Sequence, residues 1–233
     1  MLTISSDVQH WAHVLNGLAI TTEQIQRLNA DVNIENLNVA INILENLNVY
    51  APNIQEQPFL LDNLGLALCT RFRLSSSLED LTMAISLHMK ARDLRLKDSH
   101  DYAISLSNLA STLLLRFKYG SHPDDLSQAI SLLNEILEFR PVSHHLRSMS
   151  LCNFGNALLT QFEHGEMEDL EEAITFQRQG LALRPHGHPN CLDSLNNLGY
   201  AVFTRFLQFG EIEDLNEAIT LHRQALDLLP LSH

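Results

Sequence analysis

The chain is poor in the residues that would place it in several large classes of protein. Its 233 residues include only 3 cysteines, Cys69, Cys152 and Cys191, far apart in sequence. Neither a disulfide framework nor a paired-cysteine zinc site can be read from that spacing, so the thiols are expected to be buried or to line a groove. The 9 glycines and 7 prolines are too few for a turn-rich all-β chain, and aromatic residues make up only 6%. No stretch reaches the roughly 18 consecutive apolar residues of a membrane span. The opening Met1 to Leu15 lacks the basic lead and apolar core of a secretory signal. An intracellular protein with no membrane partner is the expectation. Positive charge is scarce too, 15 Lys and Arg against 28 Asp and Glu, a formal net charge of −13. With no segregated basic patch, a phosphate backbone is repelled and nucleic acid is excluded as a partner. There is no phosphate-cradling glycine loop, nucleophile elbow or zinc-protease helix signature. The chain is therefore read as not an enzyme, with no catalytic residue, metal or cofactor.

What is present is repetition. Amide-apolar-small triplets begin at Asn63, Asn108, Asn153 and Asn197, at intervals of 45, 45 and 44 residues. Phe72, Phe117, Phe162 and Phe206 keep the same intervals. A third comb, Ala40-Ile41, Ala84-Ile85, Ala129-Ile130, Ala173-Ile174 and Ala218-Ile219, steps by 44, 45, 44 and 45. Three combs with one period are the mark of a stacked repeat architecture.

Each period spells two helices. The first runs from about Asp193 to Gln208 in the last copy, with glycine at Gly120, Gly165 and Gly210 placed to end it in a left-handed conformation. Ser75 takes that place in the earliest clear copy, where a looser turn is expected. The second helix opens with acids that suit the positive end of its dipole: Glu79-Asp80, Asp124-Asp125, Glu168-Asp169 and Glu213-Asp214. Leu215, Ala218, Ile219, His222, Ala225, Leu226 and Leu229 then form one mostly apolar stripe at helical spacing. Pro52, Pro141, Pro185 and Pro230 punctuate the ends.

The order small residue, alanine, second alanine seven later and proline five after that, as in Gly199, Ala218, Ala225 and Pro230, resembles a tetratricopeptide repeat. Gly180, Ile136 and Leu47 replace the second alanine elsewhere, and about seven more residues separate Gly199 from Ala218 than in the standard repeat. The motif SLNNLG…RF…EDL.EAI.LHRQAL.L.P resembles the long-period arrays of fungal multidomain proteins and, more loosely, those of kinesin light chains, over residues 34–233. The resemblance implies an all-α fold, a right-handed α-α superhelix of about four full repeats with a degenerate N-terminal one. Residues 1–33 are expected to form N-terminal capping helices, around Trp11 and from about Ala19 to Leu28.

On this reading Gly65, Gly155, Gly199 and Ala110 are small because two helices cross closely there. Ala84, Ala129, Ala173 and Ala218 occupy crossings as well, and Phe72, Phe117, Phe162 and Phe206 fill the core between layers. Asn63, Asn108, Asn153 and Asn197 hold a position that in the family faces the groove, where an amide can both donate to and accept from an extended peptide. The alternative is that each asparagine bonds the neighbouring repeat and stiffens the stack. Ser111, Asn156 and Tyr200 lie three residues after the asparagines, and Thr70, Leu115, Thr160 and Thr204 seven after, on the same face. Arg71, Arg116 and Arg205 recur near the end of the first helix and are expected to pair with the following acids. His100, His144, His188 and His233 recur in the inter-repeat turn and are read as structural or solvated; His186, His188 and the His144-His145 pair lack the neighbouring ligands of a metal site.

The functional expectation is a non-catalytic scaffold that binds a protein or peptide in its concave groove. Two alternatives stand beside it: a sensor or accessory segment of a larger signalling protein or enzyme, and a structural array that associates with itself. The chain stops where each earlier copy enters the next repeat. A longer array, or an end covered by another chain around Ile219, Leu226 and Leu229, is expected.

Overall fold

The computed structural model describes residues 34–50, 56–97, 99–120, 122–144, 146–165, 170–184, 188 and 190–229. The expected N-terminal capping helices, Glu168-Asp169, His145, His186, His233, Pro52, Pro185 and Pro230 lie outside them. The described residues form nine helices and no strand: α1 (Ile34–Tyr50), α2 (Gln57–Ser75), α3 (Leu78–Asp93), α4 (His100–Gly120), α5 (Pro123–Phe139), α6 (Arg147–Glu163), α7 (Leu170–Ala182), α8 (Cys191–Phe209) and α9 (Ile212–Asp227). The even-numbered helices from α2 to α8 are the first helices of successive repeats, and the odd-numbered ones are the second helices.

They fall into two compact units, Met1–Asp125 and Leu126–His233. In the first, α2 packs on α1 and on α3, and α4 packs on α3. Its core joins Leu37, Ile41 and Leu44 of α1 to Leu60, Leu64, Leu68 and Phe72 of α2 and to Leu81 and Ala84 of α3. Each fully buried leucine contributes about 1.5–3 kcal/mol of transfer free energy. In the second unit α6 packs on α7, and α8 on α7 and α9. Leu151, Leu158, Leu170, Ile174, Leu195, Leu198 and Val202 are buried there. Aliphatic side chains dominate both cores, as the composition implies. Of the comb phenylalanines only Phe72 is buried, 4% exposed. Phe117, Phe162 and Phe206 are half-buried rather than core residues. All four sit in the last turn of their helices, and Phe72 differs in having the Tyr119 ring packed edge-on against it at a centroid distance of 5.2 Å. The comb alanines Ala84, Ala129, Ala173 and Ala218 are buried, as are Gly65, Gly155 and Gly199.

The helix ends follow backbone chemistry. α8 stops at Gly210, whose φ of 78° is left-handed and whose N–H donates to the Phe206 carbonyl at 2.7 Å. Gly165 has φ 109° after α6. Gly120, expected to be left-handed, is instead the last residue of α4. In the earliest copy Ser76, not Ser75, takes the left-handed place, with φ 59° and an N–H that donates to the Phe72 carbonyl at 2.7 Å. That turn is as tight as the glycine one, and a residue with a β-carbon is held in it.

Candidate functional site

The small residue of each first helix faces the second helix of its own repeat. A β-carbon on Gly65 would lie 2.6 Å from the His88 ring, one on Gly155 2.9 Å from the Ala173 carbonyl, and one on Gly199 3.0 Å from the His222 ring. Helical residues two positions apart point about 200° from each other, so the asparagine two positions before each glycine faces away from that second helix. The ladder asparagines lie on this face, on α2 and α4 in the first unit and on α6 and α8 in the second.

Most polar groups on this face are engaged. The hydroxyls of Thr70, Thr112, Thr160 and Thr204 donate to the carbonyls of Leu66, Asn108, Asn156 and Tyr200, four residues back, at 2.8–3.0 Å. Asn156 Oδ1 accepts from Gln177 Nε2 at 2.7 Å, which ties it to α7. Tyr200 is half-exposed and its hydroxyl donates to Glu163 Oε1 at 2.8 Å. That hydrogen bond, aided by partial burial, raises the phenol above its ordinary pKa. Ser111 is exposed and Asn63 is buried. Asn108, Asn153 and Asn197 are half-buried, and their amides bond no other residue among those described.

The recurring arginines belong to the scaffold. Arg71, Arg116 and Arg205 each grip the aspartate nine residues on, Asp80, Asp125 and Asp214, through two hydrogen bonds of 2.6–2.9 Å. Each also reaches the preceding second helix: Arg71 meets Asn38 at 3.2 Å, Arg116 meets Thr82 at 3.5 Å, and Arg205 meets both oxygens of Glu171 at 2.8–3.0 Å. The planar guanidinium suits such forked pairing, and its aspartate raises each arginine's pKa further. The turn histidines are structural too. His144 and His188 accept the N–H of Leu146 and of Asn190 through Nδ1, both at 3.1 Å.

A second polar series escaped the sequence reading. Arg95, Arg140 and Arg184, just past the second helices, are drawn inward and donate to Ser105, Ser150 and Ser194 of the next first helix, each ten residues on. Arg140 is 1% exposed, and burial pushes its pKa down to about 10. Arg95 also meets Asp62 at 2.7 Å, and that carboxylate binds buried His88 at 2.8 Å. The signal was available, since the arginines step by 45 and 44 residues and so do the serines. An arginine near a helix end, however, reads as solvated.

Among the described residues no three His, Cys, Asp or Glu side chains cluster to hold a metal ion. No helix among them is long and apolar enough to cross a membrane. No family model matches the sequence, and no curated protein does. Solved structures do match. TTC0263, a thermophilic TPR protein of Thermus thermophilus, superposes with a TM-score of 0.63 at 15% identity, over 95% of this chain and 93% of that one. A kinesin light chain-like protein of Podosopora anserina with nearly identical TPR-like repeats gives 0.58 at 15% identity, over 92% and 96%. BtubC of P. vanneervenii gives 0.60 at 13%, over 98% and 89%. The chain has the all-helical tetratricopeptide repeat fold.

Proposed function

We propose that the chain is a non-catalytic scaffold that binds a peptide or protein segment on the asparagine-bearing faces of its first helices. The observation that carries this reading is the contrast between engaged and free groups. The arginines, threonines, turn histidines and Asn156 are spent on the repeat itself, whereas Asn108, Asn153 and Asn197 keep both donor and acceptor open. Free amides recurring at one register suit a backbone that offers a carbonyl and an N–H by turns. The acidic net charge of −13 favours a segment that is neutral or basic.

The test is the combined Asn108→Ala, Asn153→Ala, Asn197→Ala variant. It is expected to keep the parent's circular dichroism and melting temperature, because these amides hold no other part of the fold. It should lose the proteins that the parent retains from lysate. Retention of the same set would show the ladder to be no binding surface.

A further inference from the structure

The junction between a second helix and the next first helix is written in a small code. Eleven residues after the comb alanine stand Arg95, Arg140 and Arg184, and three before the ladder asparagine stand Ser105, Ser150 and Ser194, to which they donate. At both ends of the series the code changes together. The same count places Leu60 at the serine register of α2 and Leu229 at the arginine register after α9. Leu60 is 2% exposed, in the cluster that includes Leu37, Ile41 and Leu44 of α1. Leu229 is 50% exposed.

A second register runs beside it. The residue of the preceding second helix that Arg71, Arg116 and Arg205 contact is Asn38, Thr82 and Glu171 in turn. On α9 that place belongs to Asn216, which is exposed. In both registers α9 therefore matches α1: an asparagine for an incoming arginine, and no arginine for an incoming serine. Among the described residues α9 packs on α8, and its Glu217 accepts from Arg178 of α7 at 2.9 Å. Ile219, 40% exposed, stands where Ile85 and Ile174 are 7% and 1% exposed, and Leu226 is 64% exposed.

We propose that the outer face of α9 docks an amphipathic partner helix built like α2, with a leucine at the serine register and an arginine eleven residues further on. The leucine meets Leu229, and the arginine reaches Asn216. A serine-bearing helix such as α4 or α8 is disfavoured, because its buried hydroxyl finds no guanidinium there. A second copy of the chain does not fill the role. Its α2 already lies against its own α1, and both copies carry the same acidic excess.

The probe is a fluorescein-labelled peptide of the α2 sequence, Gln57–Ser75, titrated against the whole chain by fluorescence anisotropy. The wild-type peptide is expected to bind about tenfold more tightly than its Leu60→Ser form. Leu229→Arg in the protein should reverse that order, and Asn216→Ala should weaken the wild-type peptide alone. Hydrogen exchange should show the protection falling on Ile212–Asp227. Equal binding of the two peptides, no binding, an order unchanged by Leu229→Arg, or protection confined to α1 would each overturn the assignment. So would a dimer of the free protein that Leu229→Arg dissolves, since the face would then belong to a second copy.

Discussion

Asp62 and Arg95, thirty-three residues apart, meet at 2.7 Å with each side chain only 5% exposed. The carboxylate is a hub: its other oxygen bonds His88 at 2.8 Å, and Ser105 donates to it at 2.7 Å. One residue of α2 thus ties together α2, the end of α3 and the start of α4. Asp62→Ala would leave a buried guanidinium without its counter-charge, at a cost of about 3–5 kcal/mol. Adding Arg95→Met removes the orphan and should recover part of the loss. A single variant with the parent's urea midpoint would show that the hub contributes nothing.

The three glycines at which a first helix crosses its second, Gly65, Gly155 and Gly199, predict a graded series. Alanine at Gly155 meets the Ala173 carbonyl, which is backbone, and alanine at Gly65 meets a His88 ring that is fully buried and held by Asp62. Each should cost about 1–3 kcal/mol. At Gly199 the neighbour is the ring of exposed His222, whose 3.2 Å bond to exposed Asn196 is longer and more solvated than the one that Asp62 makes to His88, so the ring can swing aside. The helix-propensity gain of about 1 kcal/mol then offsets most of the clash. Thermal denaturation of the three variants reads the order, and equal shifts would refute the packing account.

The alanine crossings allow less adjustment. Ala173 is 0% and Ala218 2% exposed. Leucine at either should overpack the site by about 1–3 kcal/mol. Denaturant midpoints unchanged in both variants would refute the role.

The architecture was legible because packing recurs wherever the geometry recurs. Gly65, Gly155 and Ala173 each occupy one station of a crossing, and a station tolerates few residue types. Arg71, Arg116 and Arg205 could be assigned because their aspartates stand nearby in sequence. Arg95, Arg140 and Arg184 could not, although they recur as regularly, since nothing local separates a long side chain that lies in solvent from one drawn inward to a serine. The asparagine face was legible as a register. Which amides were free was not, because Asn156 is engaged only through Gln177 on another helix, and that depends on how the helices meet.

One non-glycine residue among those described has a positive φ. Ser76 closes α2 at φ 59°, in the place that Gly210 takes after α8 at φ 78°, and both N–H groups bond the carbonyl four residues back at 2.7 Å. A β-carbon in the left-handed region is disfavoured by roughly 1 kcal/mol, whereas glycine enters it freely. Ser76→Gly therefore relieves strain in the folded state. It also widens the unfolded ensemble, which opposes part of the gain. The net expectation is a stabilisation of about 0.5 kcal/mol. Gly210→Ala is the converse, with space around the new β-carbon and strain alone to resist it, and should cost about 1 kcal/mol. Urea midpoints for the two variants must move in opposite directions. If both fall, Ser76 is held by more than its backbone, and the equivalence of the two turns is wrong.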